Sequence, residues 1–152
     1  MIVTTLQIIV LLIFINYLVN TFGVLPSISN STYRLRKNER FYFTLTIWTI
    51  AFLNYFQPME MYGALASGLL FFTGATIVYK NEHGFSREIH YISAVLAIVV
   101  TLIGLYVLHG FWLPTILTLI LSLPFYIYDK KNIIWWFELV TFSIIFLTYY
   151  LI

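Results

Sequence analysis

Three kinds of side chain in this sequence could form a hydrolytic site: hydroxyl, imidazole and carboxyl. The hydroxyls are Ser27 and Ser29 in the stretch LPSIS, the imidazole is His90, and the carboxyl is Glu138. In such a set the imidazole acts as general base, the carboxylate orients or stabilises it, and a serine serves as nucleophile or oxyanion donor. The residue types predict one candidate polar site and leave open whether it is catalytic.

The composition indicates a protein that lies in a lipid bilayer. Of the 152 residues, 61% are hydrophobic and 9% are charged, whereas a soluble domain carries about 25% charged residues. A water-soluble fold of this length has too little interior to hide so much apolar surface. We therefore expect an integral membrane protein, located in the plasma (inner) membrane. Because cysteine is absent, neither disulfides nor thiol chemistry are expected.

Apolar stretches long enough to cross a membrane, which takes about 20 residues, occur six times in the chain. They cover approximately residues 2–25, 41–56, 59–79, 89–109, 111–128 and 133–152. The predicted fold class is all-α: a polytopic helical bundle that forms a single transmembrane domain over residues 1–152. Short links predict that the second and third helices, and the fourth and fifth, form hairpins.

All eight lysines and arginines fall in the odd-numbered loops between these helices. They are Arg34, Arg36, Lys37 and Arg40 after the first helix, Lys80 and Arg87 after the third, and Lys130 and Lys131 after the fifth. Since positively charged loops stay in the cytoplasm, this face is predicted to be cytoplasmic and both termini to lie outside. The first cluster is also suited to bind anionic lipid headgroups.

This orientation brings the candidate site residues to one depth. Ser27 and Ser29 follow the first helix, His90 lies in the first turn of the fourth helix, and Glu138 lies roughly 8 Å inside the sixth. An ionisable group within a span costs about 2.5–3.5 kcal/mol on insertion scales, so it usually faces the protein interior or water. Structural alternatives stay open: a hydrogen-bonded or snorkelling carboxyl for Glu138, and an interfacial ring for His90.

Small and polar residues predict the buried side of each apolar helix, because they permit close packing and buried hydrogen bonds. The predicted inward positions are Asn16, Asn20, Gly23 and Ser27 on the first helix, Gly63, Ala64, Ser67, Gly68, Gly74 and Ala75 on the third, His90, Ala94, Ala97, Thr101 and Gly104 on the fourth, Thr115, Thr118 and Ser122 on the fifth, and Glu138, Thr141 and Thr148 on the sixth. These stripes, rather than any hydrophobic periodicity, orient the helices in the predicted bundle.

The sequence lacks the motifs of soluble enzymes. It contains no G-x-S-x-G, H-E-x-x-H, phosphate loop or glycine fingerprint. His83, Glu88, His90 and Glu138 have no recognised metal-site spacing, so we predict neither a metal nor a cofactor. The net charge of +2 is too small to indicate nucleic acid as a partner.

Three short motifs, in their order along the chain, resemble those of a group of six-helix membrane proteins. They are LPSIS after the first helix, IHYISA at the start of the fourth, and the carboxylate of WWFELV in the last. The group includes the DRAM autophagy modulators and the proteins of GPI-anchor lipid remodelling. The resemblance matches Ser27 and Ser29 to its serine positions, His90 to its histidine and Glu138 to its late acid, and it implies a six-helix fold that handles lipid.

Two classes of function are consistent with these observations. In the first, a polar pocket that opens on the cytoplasmic face binds or processes a lipid or another amphiphile. In the alternative, the chain is a non-enzymatic subunit of a pore, transporter or membrane effector, and acts as an oligomer. Membrane lipids are the expected partners, joined in the alternative by further copies of the chain or by a companion membrane subunit.

Overall fold

The computed structural model describes residues 1–29, 31–36, 38–78 and 85–152, with the backbone alone at residues 33, 76–78 and 85–87. Lys37, Tyr79, Lys80 and His83 lie outside the described residues. The described chain is all-helical, without a strand. Its elements are α1 (Ile2–Phe22), the one-turn α2 (Ser31–Arg34), α3 (Arg40–Asn54), α4 (Glu60–Val78), α5 (Phe85–His109), α6 (Leu113–Tyr128), a 3₁₀ turn (Lys130–Asn132) and α7 (Ile133–Leu151).

The six long helices lie where the apolar stretches predict them, and two of their ends have clear local causes. α1 stops at Phe22 because Gly23 adopts a left-handed φ of +73° and donates its N–H to the carbonyl of Val19, a common role for glycine at helix ends. α6 carries Pro114 in its first turn, where the missing N–H costs nothing. The same helix continues past Pro124 to Tyr128.

Five of the long helices pack in a closed order. α1 packs on α3, α3 on α4 and α4 on α5, while α7 contacts both α5 and α1. α6 lies outside this ring, against α7. The predicted hairpin of α3 and α4 is therefore confirmed, whereas the predicted hairpin of α5 and α6 is wrong. The buried residues of α6 form one stripe, Pro114, Thr118 and Ser122, and α7 is the long helix it contacts most.

The bundle has two chemically different ends. At one end the α3–α4 and α5–α6 turns meet, since His109 Nε2 lies 2.9 Å from the carbonyl oxygen of Pro58. Thr5 and Tyr150 are hydrogen-bonded to each other near these turns, so both chain termini also lie here. We call this the opposite end, because the described cations lie at the other end of the bundle. The described cations at the other end, which we call the basic end, are Arg34, Arg36, Arg40, Lys130 and Lys131.

Within the described residues, three helical segments are long and apolar enough to cross a membrane: 2–22, 88–109 and 130–151. α6 is apolar but shorter. Large apolar side chains are exposed on all six long helices, for example Leu12, Phe52, Phe72, Ile92, Leu119 and Leu147. An outward surface of this kind fits a helical bundle surrounded by lipid.

The buried stripes agree with the sequence on α5 and differ on α1. His90, Ala97, Thr101 and Gly104 are buried and Ala94 half-buried, as predicted. On α1 the buried residues are instead Thr4, Gln7, Leu11, Phe14 and Leu18. Asn16, Asn20 and Gly23 are exposed, so the prediction is wrong for these three residues, whereas Ser27, beyond the end of α1, is buried as predicted. The two asparagines satisfy each other there, with Asn20 Nδ2 donating to Asn16 Oδ1 at 3.0 Å, and need no interior partner.

The predicted stripe on α4 divides into two faces. Gly63, Ser67 and Gly74 are buried, whereas Ala64 is exposed and Gly68 half-buried. A Cβ at Gly74 would lie 2.6 Å from Cδ1 of Trp48, while a Cβ at Gly68 would meet nothing within 4 Å. Of these two faces of α4, only the one that carries Gly63, Ser67 and Gly74 is therefore packed closely against the bundle.

Candidate functional site

Glu138 binds the segment that follows α1. The N–H of Ile28 donates to Glu138 Oε2 at 2.6 Å, and the hydroxyl of Ser29 donates to Oε1 at 3.3 Å. One turn earlier on α7, the N–H of Trp135 donates to the carbonyl of Pro26 at 3.1 Å. The start of α7 thus holds the LPSIS segment by hydrogen bonds, with Glu138 accepting from Ile28 and Ser29 and Trp135 donating to Pro26.

The segment itself is folded under the bundle rather than exposed as a loop. The proline at position 26 lacks an N–H and cannot continue the helix, and its neighbours Leu25, Ser27 and Ile28 are buried. The chain then makes the single turn α2, in which Thr32 donates through its hydroxyl to the carbonyl of Ser29 at 2.9 Å. Residues 25–29 therefore form a buried plug at the basic end.

His90 belongs to a second polar cluster, which is formed by residues of α4 and α5. Its Nδ1 lies 2.8 Å from the carbonyl oxygen of Thr73. The hydroxyls of Thr73 and Ser93 are 2.9 Å apart, and Ser93 donates to the carbonyl of His90 at 3.1 Å. The imidazole ring also packs 5.8 Å from the ring of Phe43. This cluster ties α4 to α5.

A small internal cavity lies between the two clusters. Its volume is about 30 Å³, and its polar lining comes from Ser29, Thr73 and Glu138. A water molecule needs about this much space and two to four polar partners. Ser29 and Glu138 therefore meet directly, whereas His90 contacts two residues that line the cavity, Thr73 and Phe43. Ser27 is buried in the plug beside them.

The predicted cationic residues extend along the surface of the basic end. Arg34 and Arg36 are exposed and Arg40 is half-buried. The N–H of Arg36 donates to the carboxylate of Glu39 at 3.0 Å. The Nε of Arg40 is buried and has no hydrogen-bond partner within the described chain.

A larger groove opens on the outside of the bundle between α1 and α3. Its volume is about 440 Å³, and it is lined by Val10, Ile13, Phe14, Tyr17, Tyr42, Leu45, Thr46 and Thr49. The Tyr17 and Tyr42 rings meet edge to face, 5.9 Å apart, at the end of the groove nearest the basic residues. Tyr17 lies within electrostatic range of Arg36 and Glu39. The sequence predicts the cations but not this groove. The reason is that Asn16 and Asn20 indicate the wrong side of α1 as the one that packs inside the bundle.

A buried polar cluster at the opposite end was also missed. Gln57 donates through Nε2 to Gln7 Oε1 at 2.7 Å and to Thr4 Oγ1 at 3.1 Å. The hydroxyl of Tyr149 donates to Asn54 Oδ1 at 2.9 Å. Gln7 carries the signal that could have located the cluster, since a single amide amid apolar residues of a span must find an interior partner.

No group of three or more His, Cys, Asp or Glu side chains that could hold a metal ion occurs within the residues that the structure describes. Comparison with known proteins found no matching protein-family model, no matching curated protein and no matching solved structure. The function is therefore argued from the geometry of this chain.

Proposed function

We propose that the chain is an integral membrane protein that binds an anionic phospholipid in the α1–α3 groove, on the cytoplasmic side of the plasma membrane. All six long helices would cross the bilayer, with both termini outside. The positive-inside rule supports this orientation, because the described cations share the basic end. α3 has 15 residues, about 22 Å of helix, so the bilayer would be locally thin beside it.

The orientation can be tested by labelling single cysteines, since the natural chain has none. We expect a membrane-impermeant maleimide to label Tyr55→Cys and Trp112→Cys from outside intact cells. Asn38→Cys and Lys131→Cys should react only after the membrane is permeabilised. Labelling of Lys131→Cys in intact cells would contradict the orientation.

The observation that carries the lipid proposal is an apolar groove whose tyrosine-lined end lies toward the basic end of the bundle. Its volume of about 440 Å³ lies in the ~300–1,000 Å³ range of ligand pockets. The apolar part suits an acyl chain, and at its end Tyr17 meets Tyr42 and lies within electrostatic range of the Arg36 cation as well as of the Glu39 carboxylate.

The interior cavity is a poorer place for a lipid. Its volume of about 30 Å³ is close to that of one water molecule, far below a phosphate headgroup. The Ser29 hydroxyl already donates to Glu138, so in this conformation the pair supports the plug. We therefore assign Glu138 the role of positioning the plug and the basic residues that follow it.

Lipid selectivity gives the direct test. Native mass spectrometry of the purified protein with equimolar phosphatidylglycerol and phosphatidylcholine should show preferential retention of phosphatidylglycerol. Each basic residue near a membrane surface contributes about 1 kcal/mol, so Arg36→Gln with Arg40→Gln should weaken that preference roughly 30-fold.

The matched control removes the same charge elsewhere on the basic end. Lys130→Gln with Lys131→Gln should leave the preference intact, because these residues do not adjoin the groove. Equal retention of both lipids by the natural chain would refute the proposal. Equal loss in both double variants would mean that general surface charge, and not the groove, selects the lipid.

Catalysis by Ser27 or Ser29 with His90 and Glu138 stays a prediction, as does the family resemblance. The decisive variants are His90→Ala and Glu138→Ala, followed for lipid turnover in membranes. Full turnover in both variants at normal expression would exclude a catalytic site formed by these residues.

A further inference from the structure

Polar side chains follow the interior of the bundle from the opposite end toward the basic end. The first group is the side-chain amide of Gln57, which donates hydrogen bonds to Thr4 and Gln7. Gln7 in turn donates through Nε2 to the carbonyl of Ile50 at 3.3 Å. Ile50 also lines a second internal cavity, so this group leads directly to enclosed space.

The second cavity has a volume of about 20 Å³ and a polar lining of Asn54 and Thr101. Tyr149 lies beside both side chains: its hydroxyl donates to Asn54 Oδ1 at 2.9 Å, and it is near the Thr101 hydroxyl, which donates to the carbonyl of Ala97 at 2.8 Å. Asn54 also donates to Ser67 Oγ at 3.4 Å. A space of this size can hold a water molecule, for which Asn54 and Thr101 would be the partners in an otherwise apolar lining.

A thin apolar partition separates this cavity from the one at Glu138. Leu70, Ile98 and Phe142 line both cavities. Water-sized spaces, each with at least two polar side chains in a mostly apolar lining, thus lie on each side of a barrier that is one layer of side chains thick. Apolar constrictions of this type gate conduction by wetting and drying.

We infer that this track conducts protons through the bundle, with Glu138 as the carrier on the basic side of a gate formed by Leu70, Ile98 and Phe142. Protons need only single-file water and hydrogen-bonding groups, and intramembrane carboxyls commonly serve as proton relays. Spaces of about 20 and 30 Å³ are too small for a hydrated metal cation. The inference is independent of lipid binding, because the groove lies on the outer surface.

The route from Glu138 to the cytoplasm runs through the plug. Glu138 is bonded to Ser29, and the carbonyl of Ser29 accepts the hydroxyl of Thr32 at the basic end. Apart from Ser29 and Thr73, the residues that line the cavity at Glu138 are apolar. The nearest titratable group beyond it is His90, which contacts Thr73.

Proton flux into proteoliposomes tests the inference. With a potassium diffusion potential set by valinomycin and a fluorescent pH probe inside, the natural chain should acidify the lumen faster than protein-free liposomes show. Glu138→Gln should reduce the rate to the protein-free level, whereas Glu60→Gln, an exposed acid at the opposite end, should not change it.

Two further pairs decide the question even if Glu138→Gln does not fold. Ile98→Ala should raise the flux by thinning the gate, while Ile103→Ala, an exposed isoleucine on the same helix, should not. Thr101→Val should lower it, while Thr148→Val, which removes a buried hydroxyl bonded within its own helix, should not. Flux of the natural chain no faster than in protein-free liposomes, or equal effects within each pair, overturns the inference.

Discussion

At the scale of single residues, the carboxyl of Glu138 connects the last helix with the segment after the first. A carboxyl in a span is costly, and here two donors from one short segment offset that cost. The structural alternative, a hydrogen-bonded carboxyl, is therefore what the geometry displays. Residue type and depth predicted that Glu138 faces inward, but only the folded plug determines its partners.

Replacing Glu138 should release the plug. Glu138→Ala leaves the buried N–H of Ile28 without an acceptor, and such a loss costs about 2–3 kcal/mol in the free energy of unfolding. Glu138→Gln keeps one acceptor oxygen and should cost about half as much. Thermal unfolding in detergent measures the order of stability, with the exposed Glu60→Ala as control. An unfolding temperature of Glu138→Ala equal to that of the natural chain would show that the plug is held by other contacts.

Asp129, between α6 and the 3₁₀ turn, gives the chain a pH-dependent contact. The indole N–H of Trp136 donates to its Oδ2 at 2.8 Å and Asn132 donates to both oxygens. These bonds hold the pKa of Asp129 below its ordinary value of 3.8. Because the folded-state pKa is the lower one, the contribution is complete above the ordinary pKa and is lost as the pH falls through the folded value.

Comparison of the natural chain with Asp129→Asn isolates this contribution. The difference between their unfolding temperatures should be constant at neutral pH and shrink as the pH drops below 3.8. Fluorescence of Trp136, which stacks on Phe125 at 4.5 Å, reports the local contact. A difference that grows on acidification would have the wrong sign for this account.

At the scale of helices, two glycines of α4 separate the effect of packing between helices from the effect of helix propensity. Gly74 lies against Trp48, whose Nε1 donates to the carbonyl of Phe71 at 3.0 Å. Gly74→Ala should force the indole away and lower stability by about 1–3 kcal/mol. Gly68→Ala enters open space and should raise stability by up to about 1 kcal/mol, because alanine favours helix.

Unfolding of the two variants in the same detergent checks this contrast, since both substitutions are Gly→Ala within one helix. Equal shifts of the unfolding temperature would mean that α3 and α4 do not approach closely at Gly74. In sequence both glycines fit one stripe of small residues, and the stripe alone could not tell which of them faces α3.

The helices themselves could largely be predicted from apolar length, with ends set by Gly23 and Pro114. The packing partners of each helix could not be predicted in this way. α6 follows α5 by a short turn yet packs on α7, because in apolar helices lipid-facing and protein-facing surfaces have the same composition. For the same reason Asn16 and Asn20 misled the orientation of α1, whose interior side carries Gln7 and apolar residues.

At the scale of the whole molecule, the basic end combines three features that are far apart in sequence. The plug held by Glu138 and the cations after it lie at this end, and the α1–α3 groove extends toward it as far as Tyr17 and Tyr42. The cations could be predicted from loop charge alone, whereas the groove depends on which sides of α1 and α3 meet. Their proximity is the basis of the lipid proposal.

Photo-cross-linking with a phosphatidylglycerol that carries a diazirine on its acyl chain tests that proposal most directly. In membranes containing the natural chain, cross-linked peptides should concentrate on residues 10–17 of α1 and 42–49 of α3, and Ile13→Trp should suppress them by filling the groove. Ile9→Trp, on the exposed surface of α1 beside the groove, should leave them in place. Cross-links spread evenly over all six long helices, unchanged by Ile13→Trp, would contradict a lipid site in the groove.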